Sequence, residues 1–348
     1  MDTNQDPSQL PVIPRLDMQA MEQARNRWAT RAMPAGALGD IQALAVHLAG
    51  IAGVCPPPVP RKPVVAVFAG DHGVVDDGAS AWPAEITAAM VATVSSGGAA
   101  ISVFADAVGA DVLVVDVGVK APIGPMPRLR SERVANGTAS IATGAAMTTA
   151  QATASIAIGG RIASEQIAVG ANCLVGGDLG IGNTTPAAAL IGAFIGRSAH
   201  EITGMGAGIP AGGLKHKQQL VESAIQRAQA CTEPLEVLAS AGGLEIAALA
   251  GFYIYAAAHK VPFIVDGVIA SAALCAADAL SPGTAARAIA GHRSSEPAAS
   301  AVLEHFGLQP LLNLNLRLGE GTGACLAVPL VQAAAAALAN MADLPEPE

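Results

Sequence analysis

The residues able to do chemistry fall in four short segments. In Gly176-Gly-Asp-Leu-Gly-Ile-Gly-Asn-Thr-Thr-Pro186 an apolar run enters a glycine-rich turn, and a helix starts at Thr184 or Thr185 with Pro186 near its first position. Open backbone amides and hydroxyls at a helix N-terminus suit a phosphate monoester, although a tight turn before a capped helix explains the same residues. In Arg317-Leu-Gly-Glu-Gly-Thr-Gly323 the carboxylate of Glu320 stands between glycines at the start of an apolar helix. A helix dipole alone favours an acid there. The flanking glycines also let a ligand approach closely, and burial would raise this acid toward the range of a general base, with Arg317 pulling the other way. Gly291-His-Arg-Ser-Ser-Glu296 offers Ser294 and Ser295 as helix caps or phosphate contacts, capping being the plainer account. Asp71-His72-Gly73 has one Asp and one His without a second nearby ligand, which points to structural polar contacts rather than a metal.

The elements that must position these segments follow from hydrophobic patterning. Short apolar runs at Val64–Phe68, Val112–Val117, Cys173–Val175 and Pro262–Val265 read as strands, with a further candidate at Ala285–Ala290. Helical patterns lie between them, and others cover Asp17–Arg31, Asp40–Ala52 and Thr322–Met341. This alternation predicts an α/β fold, a Rossmann-like parallel sheet covered by helices on both faces, with ligands beyond the carboxyl ends of the strands. Four of those ends carry acids, at Asp71, Asp116, Asp178 and Asp266. Each alone reads as a cap for the helix that follows; the set reads as one shared crevice. Residues 1–14 are polar and proline-bearing, a disordered lead-in; the proline-rich segment 55–60 is a stiff linker and marks a boundary. Residues 120–140 read as irregular.

Composition narrows the function. The chain has 348 residues, 52% hydrophobic but only 3% aromatic, with 38 glycines, so its core is built from small aliphatic side chains. Mean hydropathy is +0.45. The apolar stretches are alanine-rich and interrupted, as by Pro329 and Gln332, and none reads as a spanning helix. No basic, apolar leader opens the sequence, so the protein is expected to be cytoplasmic. A net charge of −9 without basic runs argues against nucleic-acid binding. Five scattered cysteines suggest reduced thiols, and Cys325 reads as a small hydrophobe rather than a nucleophile. Walker A, the Gly-x-Gly-x-x-Gly fingerprint and the Gly-x-Ser-x-Gly elbow are all missing, and the histidines form no metal-spaced cluster.

Taken together, Phe68-Ala-Gly-Asp-His-Gly-Val-Val-Asp76, Gly177–Pro186, Gly242-Gly-Leu-Glu245, Arg317–Gly323 and Met33-Pro-Ala-Gly-Ala-Leu-Gly39 resemble the nicotinate-nucleotide–dimethylbenzimidazole phosphoribosyltransferases of cobalamin nucleotide-loop assembly, in order and over nearly the whole chain. The resemblance implies a large α/β domain over 60–321, a small helical domain from 15–55 and roughly 322–348, and a homodimer. It implies Glu320 as catalytic base and Asp178, one methylene shorter than the family's usual Glu, in an auxiliary role, as a secondary base or a ribose contact. The nucleotide phosphate and ribose would meet Gly180, Gly182, Asn183, Thr184, Lys217 and Ser294. The acceptor base would lie by Trp82, Met90 and Leu318. Nicotinate mononucleotide and a benzimidazole-type base are the implied substrates, with no cofactor, metal, nucleic acid or membrane. A related transferase for another base, a non-catalytic nucleotide-binding subunit and a dinucleotide oxidoreductase are the rival readings.

Overall fold

A computed structural model describes residues 10–209 and 212–345. Six strands, β1 (Pro63–Gly70), β2 (Asp111–Gly118), β3 (Leu129–Ser131), β4 (Cys173–Leu179), β5 (Phe263–Val265) and β6 (Ala288–Ala290), pair in the order β3-β2-β1-β4-β5-β6. Every pairing is parallel. The order reverses between β1 and β4, and the carboxyl ends at such a reversal form a crevice. Thirteen α-helices lie among the described residues: α1 (Met18–Ala29), α2 (Asp40–Ala52), α3 (Glu85–Ser95), α4 (Ala100–Val108), α5 (Thr149–Ala168), α6 (Thr184–Ile195), α7 (Ala199–Ile202), α8 (Gly213–Gln229), α9 (Pro234–Ala241), α10 (Leu244–Ala258), α11 (Val268–Leu280), α12 (Pro297–Phe306) and α13 (Thr322–Asn340).

Strand side chains alternate between two apolar layers. Val64, Ala66 and Phe68 face helices α5, α6, α8, α10 and α11; Val65, Val67 and Ala69 face α1 to α4 and α13. With few aromatic side chains to fill space, the helices approach closely. At the α5–α10 crossing, a Cβ on Gly159 would lie 2.6 Å from the carbonyl carbon of Ala248, and one on Gly251 would lie 2.8 Å from that of Ile156. Helices α1, α2 and α13 pack on one another, and their apolar side chains are continuous with the layer under the sheet. Arg27 and Arg31 donate to the carbonyls of Leu338, Ala339 and Met341, which closes the C-terminal end of α13 with positive charge.

Several expectations change. β4 continues through Gly176 and Gly177 to Leu179, because both glycines pair with β1, so the turn begins only at Gly180. The candidate strand 285–290 is a 3-10 turn at Ala285–Arg287 followed by β6. The irregular stretch 120–140 contributes the edge strand β3. Part of the expected lead-in is anchored: Ile13 is buried, Ser281 donates to the Pro11 carbonyl, and Arg287 donates to that of Pro14. Residues 1–9 of that lead-in lie outside the described residues. Two helical stretches, 85–108 and 322–340, do reach the length and apolarity of a membrane span. The first is broken between α3 and α4, and the apolar side chains of α13 from Ala324 to Leu338 pack under the sheet.

Candidate active site

A cavity of about 340 Å³ opens at the carboxyl ends of the strands, beside the point where the sheet order reverses. All eleven residues that the family resemblance assigns to the site line it: Trp82, Met90, Asp178, Gly180, Gly182, Asn183, Thr184, Lys217, Ser294, Leu318 and Glu320. They come from five separate segments of the chain that only the fold brings together.

One side of the wall is polar. The turn after β4 delivers Gly180, Gly182 and Asn183 to the start of α6, and Asn183, the residue before that helix, makes no capping bond to its amides. Lys217, buried on α8, donates to the Thr184 hydroxyl at 2.8 Å and the Gly204 carbonyl at 3.1 Å. Burial pushes the ammonium down to about 8, partly offset by Glu296. Glu296 accepts the Gly206 amide at 2.9 Å, and Arg317 donates to the Gly206 carbonyl at 3.3 Å. The Ser294 hydroxyl accepts the Glu296 amide at 3.3 Å, next to the start of α12. An N-terminus, an ammonium and a guanidinium on one wall have the charge and donors that suit a phosphate dianion.

Another part of the wall is apolar: Trp82, Ile86, Met90, Met205 and Leu318. Trp82 and Leu318 are 52% and 57% exposed, a large apolar area left in water unless a flat ring covers it. The nearby Thr87 hydroxyl is already engaged by the Ile181 amide at 3.1 Å, so this wall offers few free polar groups.

Glu320 sits in a left-handed backbone run: Gly319, Glu320 and Gly321 have φ of 85°, 61° and 83°. A side chain in that region is strained by about 1 kcal/mol, which the flanking glycines avoid. The run lies directly over β4. A Cβ on Gly177 would come within 2.7 Å of the Glu320 carbonyl carbon and 3.0 Å of the Gly321 nitrogen, so only glycine admits the approach. Glu320 is 6% exposed, and its Oε2 has no hydrogen-bond partner among the described residues. Burial raises its pKa; the Ile101 amide at the start of α4 opposes this and the Asp266 charge adds to it. Asp178 is buried and held well above the usual carboxylate range by that burial. Asp266, Glu245 and Glu320 add to the shift, and the Asn183 amide, 3.0 Å away, counters it.

The four acidic strand ends do not share this crevice. Asp178 lines it, whereas Asp71 and His72 line a separate polar cavity of about 370 Å³ with Asp76, Asp77 and Lys120. Asp116 accepts the Gly118 and Val119 amides at its own strand end, and His72 pairs with the buried Glu245 at 2.8 Å. None of the four caps the helix that follows it; Asp266 instead holds amides at the start of the distant α13. Sequence reasoning gives no site role to three lining residues, His292, Glu296 and Gly206, whose contacts arise only through space. Among the described residues no group of three or more His, Cys, Asp or Glu is arranged to hold a metal.

A parallel sheet with a phosphate-suited wall, an apolar wall and a buried acid describes an enzyme that handles a nucleotide and a ring. A family model described as phosphoribosyltransferase matches residues 13–347. A nicotinate-nucleotide–dimethylbenzimidazole phosphoribosyltransferase from Salinispora tropica is 46% identical over 346 residues, covering 95% of each chain. One of the same name from Chloroflexus aurantiacus is 46% identical over 332 residues, covering 95% of this chain and 94% of that one. The crystal structure of CobT from Thermus thermophilus superposes with a TM-score of 0.90 at 43% identity, covering 93% of this chain and 97% of that one. The chain belongs to the nicotinate-nucleotide–dimethylbenzimidazole phosphoribosyltransferase family.

Proposed function

We propose that this enzyme transfers the 5-phosphoribosyl group of nicotinate mononucleotide to 5,6-dimethylbenzimidazole, giving nicotinate and α-ribazole 5′-phosphate for cobalamin lower-ligand assembly. Family membership supports the reaction, and the buried, unpartnered Oε2 of Glu320 in the cavity wall carries the assignment of its base. The donor's pyridine nitrogen is quaternary, so the bond from C1′ to it breaks with its electron pair and nicotinate departs neutral at nitrogen. One imidazole nitrogen of the acceptor forms the new bond to C1′, and its other nitrogen loses a proton to Glu320. Attack opposite the leaving group turns a β- into an α-nucleotide. Gly180, Gly182, Asn183, Thr184, Lys217 and Ser294 hold the ribose phosphate in this reading, and Trp82, Met90 and Leu318 clasp the ring. The weakly polar wall around them favours a methylated benzimidazole over adenine.

Raised by burial, Glu320 is a stronger base than a carboxylate in water, and proton removal of this kind contributes about 10²–10⁴-fold. Burial and the neighbouring acids shift Asp178 toward its protonated form, and in this reading it plays an auxiliary part beside Glu320. A homodimer in the cytoplasm completes the reading; the family resemblance supports the dimer, and five free cysteines suit a reducing compartment. The test is Glu320→Gln, assayed by nicotinate release: turnover drops by about 10²–10⁴-fold while mononucleotide affinity stays within about threefold. Turnover like that of the parent enzyme would remove Glu320 as the base.

A further inference from the structure

Asp266 follows β5, has a fully buried side chain, and has no part in the chemistry above. Its Oδ2 accepts the Gly321 amide at 3.2 Å and its Oδ1 accepts the Ala324 amide at 2.8 Å. His292 Nε2 stands 3.3 Å from the same Oδ1. One carboxylate thus grips the residue directly after Glu320 and the first turn of α13 together. The left-handed backbone at Glu320 has no local reason to persist, since a glutamate disfavours it. Among the described residues, the other backbone bonds to this run are local. The Thr322 amide and hydroxyl donate to the Gly319 carbonyl at 3.0 and 2.8 Å, and the Cys325 amide donates to that of Gly321 at 2.8 Å.

We propose that Asp266 is the positioning residue for Glu320, fixing through the Gly321 and Ala324 amides the backbone run that presents the catalytic carboxylate to the cavity. The proposal rests on the reading of Glu320 as base. Asp266 also adds negative charge beside Glu320, which favours the protonated form and so strengthens the base. The other titratable or charged groups on this cavity's wall are Asp178 at the end of β4, His292 and Glu296 after β6, Lys217 on α8 and Arg317 on the segment of Glu320 itself. Around Asp266 stand two more, the buried Tyr253 hydroxyl on α10 and the Cys325 thiol on α13.

The experiment compares Asp266→Asn, Glu320→Gln and the double variant by kcat, mononucleotide affinity and the pH profile of kcat/KM. Asp266→Asn keeps the shape, loses one acceptor and loses the charge. It is expected to lower kcat about 10–100-fold, leave mononucleotide affinity within about threefold, and move the acidic limb of the profile to lower pH. In the Glu320→Gln background the same change is expected to cost less than about twofold, because a residue acting through another has nothing left to position. An unmoved kcat and acidic limb in Asp266→Asn, or an undiminished loss in the double variant, overturns the proposal. Parent-like turnover in Glu320→Gln sinks the base assignment instead, so the two failures are distinct. Should Asp266→Asn not fold, Asp266→Glu keeps the charge but displaces both oxygens. Its kcat then falls with the acidic limb unmoved, and parent-like kcat there overturns the proposal equally.

Discussion

Replacing Gly177 by alanine adds one methyl group at the centre of the sheet, in a direction the backbone fixes. The new Cβ points away from the Tyr253 side of the sheet and into the backbone of the Glu320 run, 2.7 Å from the Glu320 carbonyl carbon. Ordinary carbon contacts begin near ~3.5 Å, so strand and loop must part by roughly 1 Å. The strand is held by β1 along its length and by β5 nearer its start, while among the described residues the loop is held by the Asp266 grip, the Ile101 amide and its own turn. The loop therefore gives way and carries the carboxylate with it. A displacement of that size at a reacting group costs about 10²-fold in rate. Overpacking of this kind also costs about 1–3 kcal/mol of stability. Steady-state nicotinate release gives kcat and KM, and a thermal melt gives the stability loss. Gly144→Ala, where a Cβ would meet nothing within 4 Å, is the control and should change neither. A Gly177→Ala enzyme with parent-like kcat and melting temperature would refute the claim that the glycine exists to admit the Glu320 backbone.

Lys217, brought down to about 8 by burial, is a cation below that pH and neutral above it. KM for the mononucleotide should therefore climb by up to about tenfold per unit above that pH in the parent and stay level in Lys217→Arg, whose charge persists; a flat parent profile to about pH 9.5 would contradict this. Asp178→Asn should cost about tenfold or less in kcat, and a loss equal to that of Glu320→Gln would show the two acids ranked in the wrong order. Arg287 is buried and donates to the carbonyls of Pro14, Arg15 and Ile51, so Arg287→Met should destabilise the protein by about 3 kcal/mol or more in urea unfolding, with kcat of the folded enzyme near that of the parent. A loss under about 1 kcal/mol would mean those carbonyls find other partners.

What can be read from sequence is local. The ends of α2 fall where the apolar spacing puts them, and β1, β2 and β5 lie on the β-branched runs. The edge strand β3 escapes because Leu-Arg-Ser has no alternating apolar pattern; its role comes from pairing with β2. Helix α9 begins at Pro234 and is hidden in a stretch flanked by Glu233 and Gly242, where turn-forming residues outweigh eight helical ones. At the site, Glu320 and the turn at Gly180 stand out because glycines surround them. His292 and Glu296 do not, and Asp266 stands out only as an acidic strand end, because nothing in their neighbours' identities tells which amide or ring each one meets. Gly177 is visible as a residue but its purpose is not: it reads as part of a phosphate turn and instead makes room for another chain segment.

The arrangement of α13 has a consequence for the order in which the molecule becomes an enzyme. During synthesis α1 and α2 leave the ribosome before the sheet, with Ala24, Trp28, Leu44 and Leu48 awaiting a partner, α13, that is translated after β6. That late helix brings the acid at one end and, at the other, the carbonyls that Arg27 and Arg31 hold. Nascent chains thus carry all six strand segments before the segment of Glu320 is made. A chain stopped short of Glu320 lacks that acid and the helix under the sheet, and leaves Ala24, Trp28, Leu44 and Leu48 without the α13 side chains that cover them.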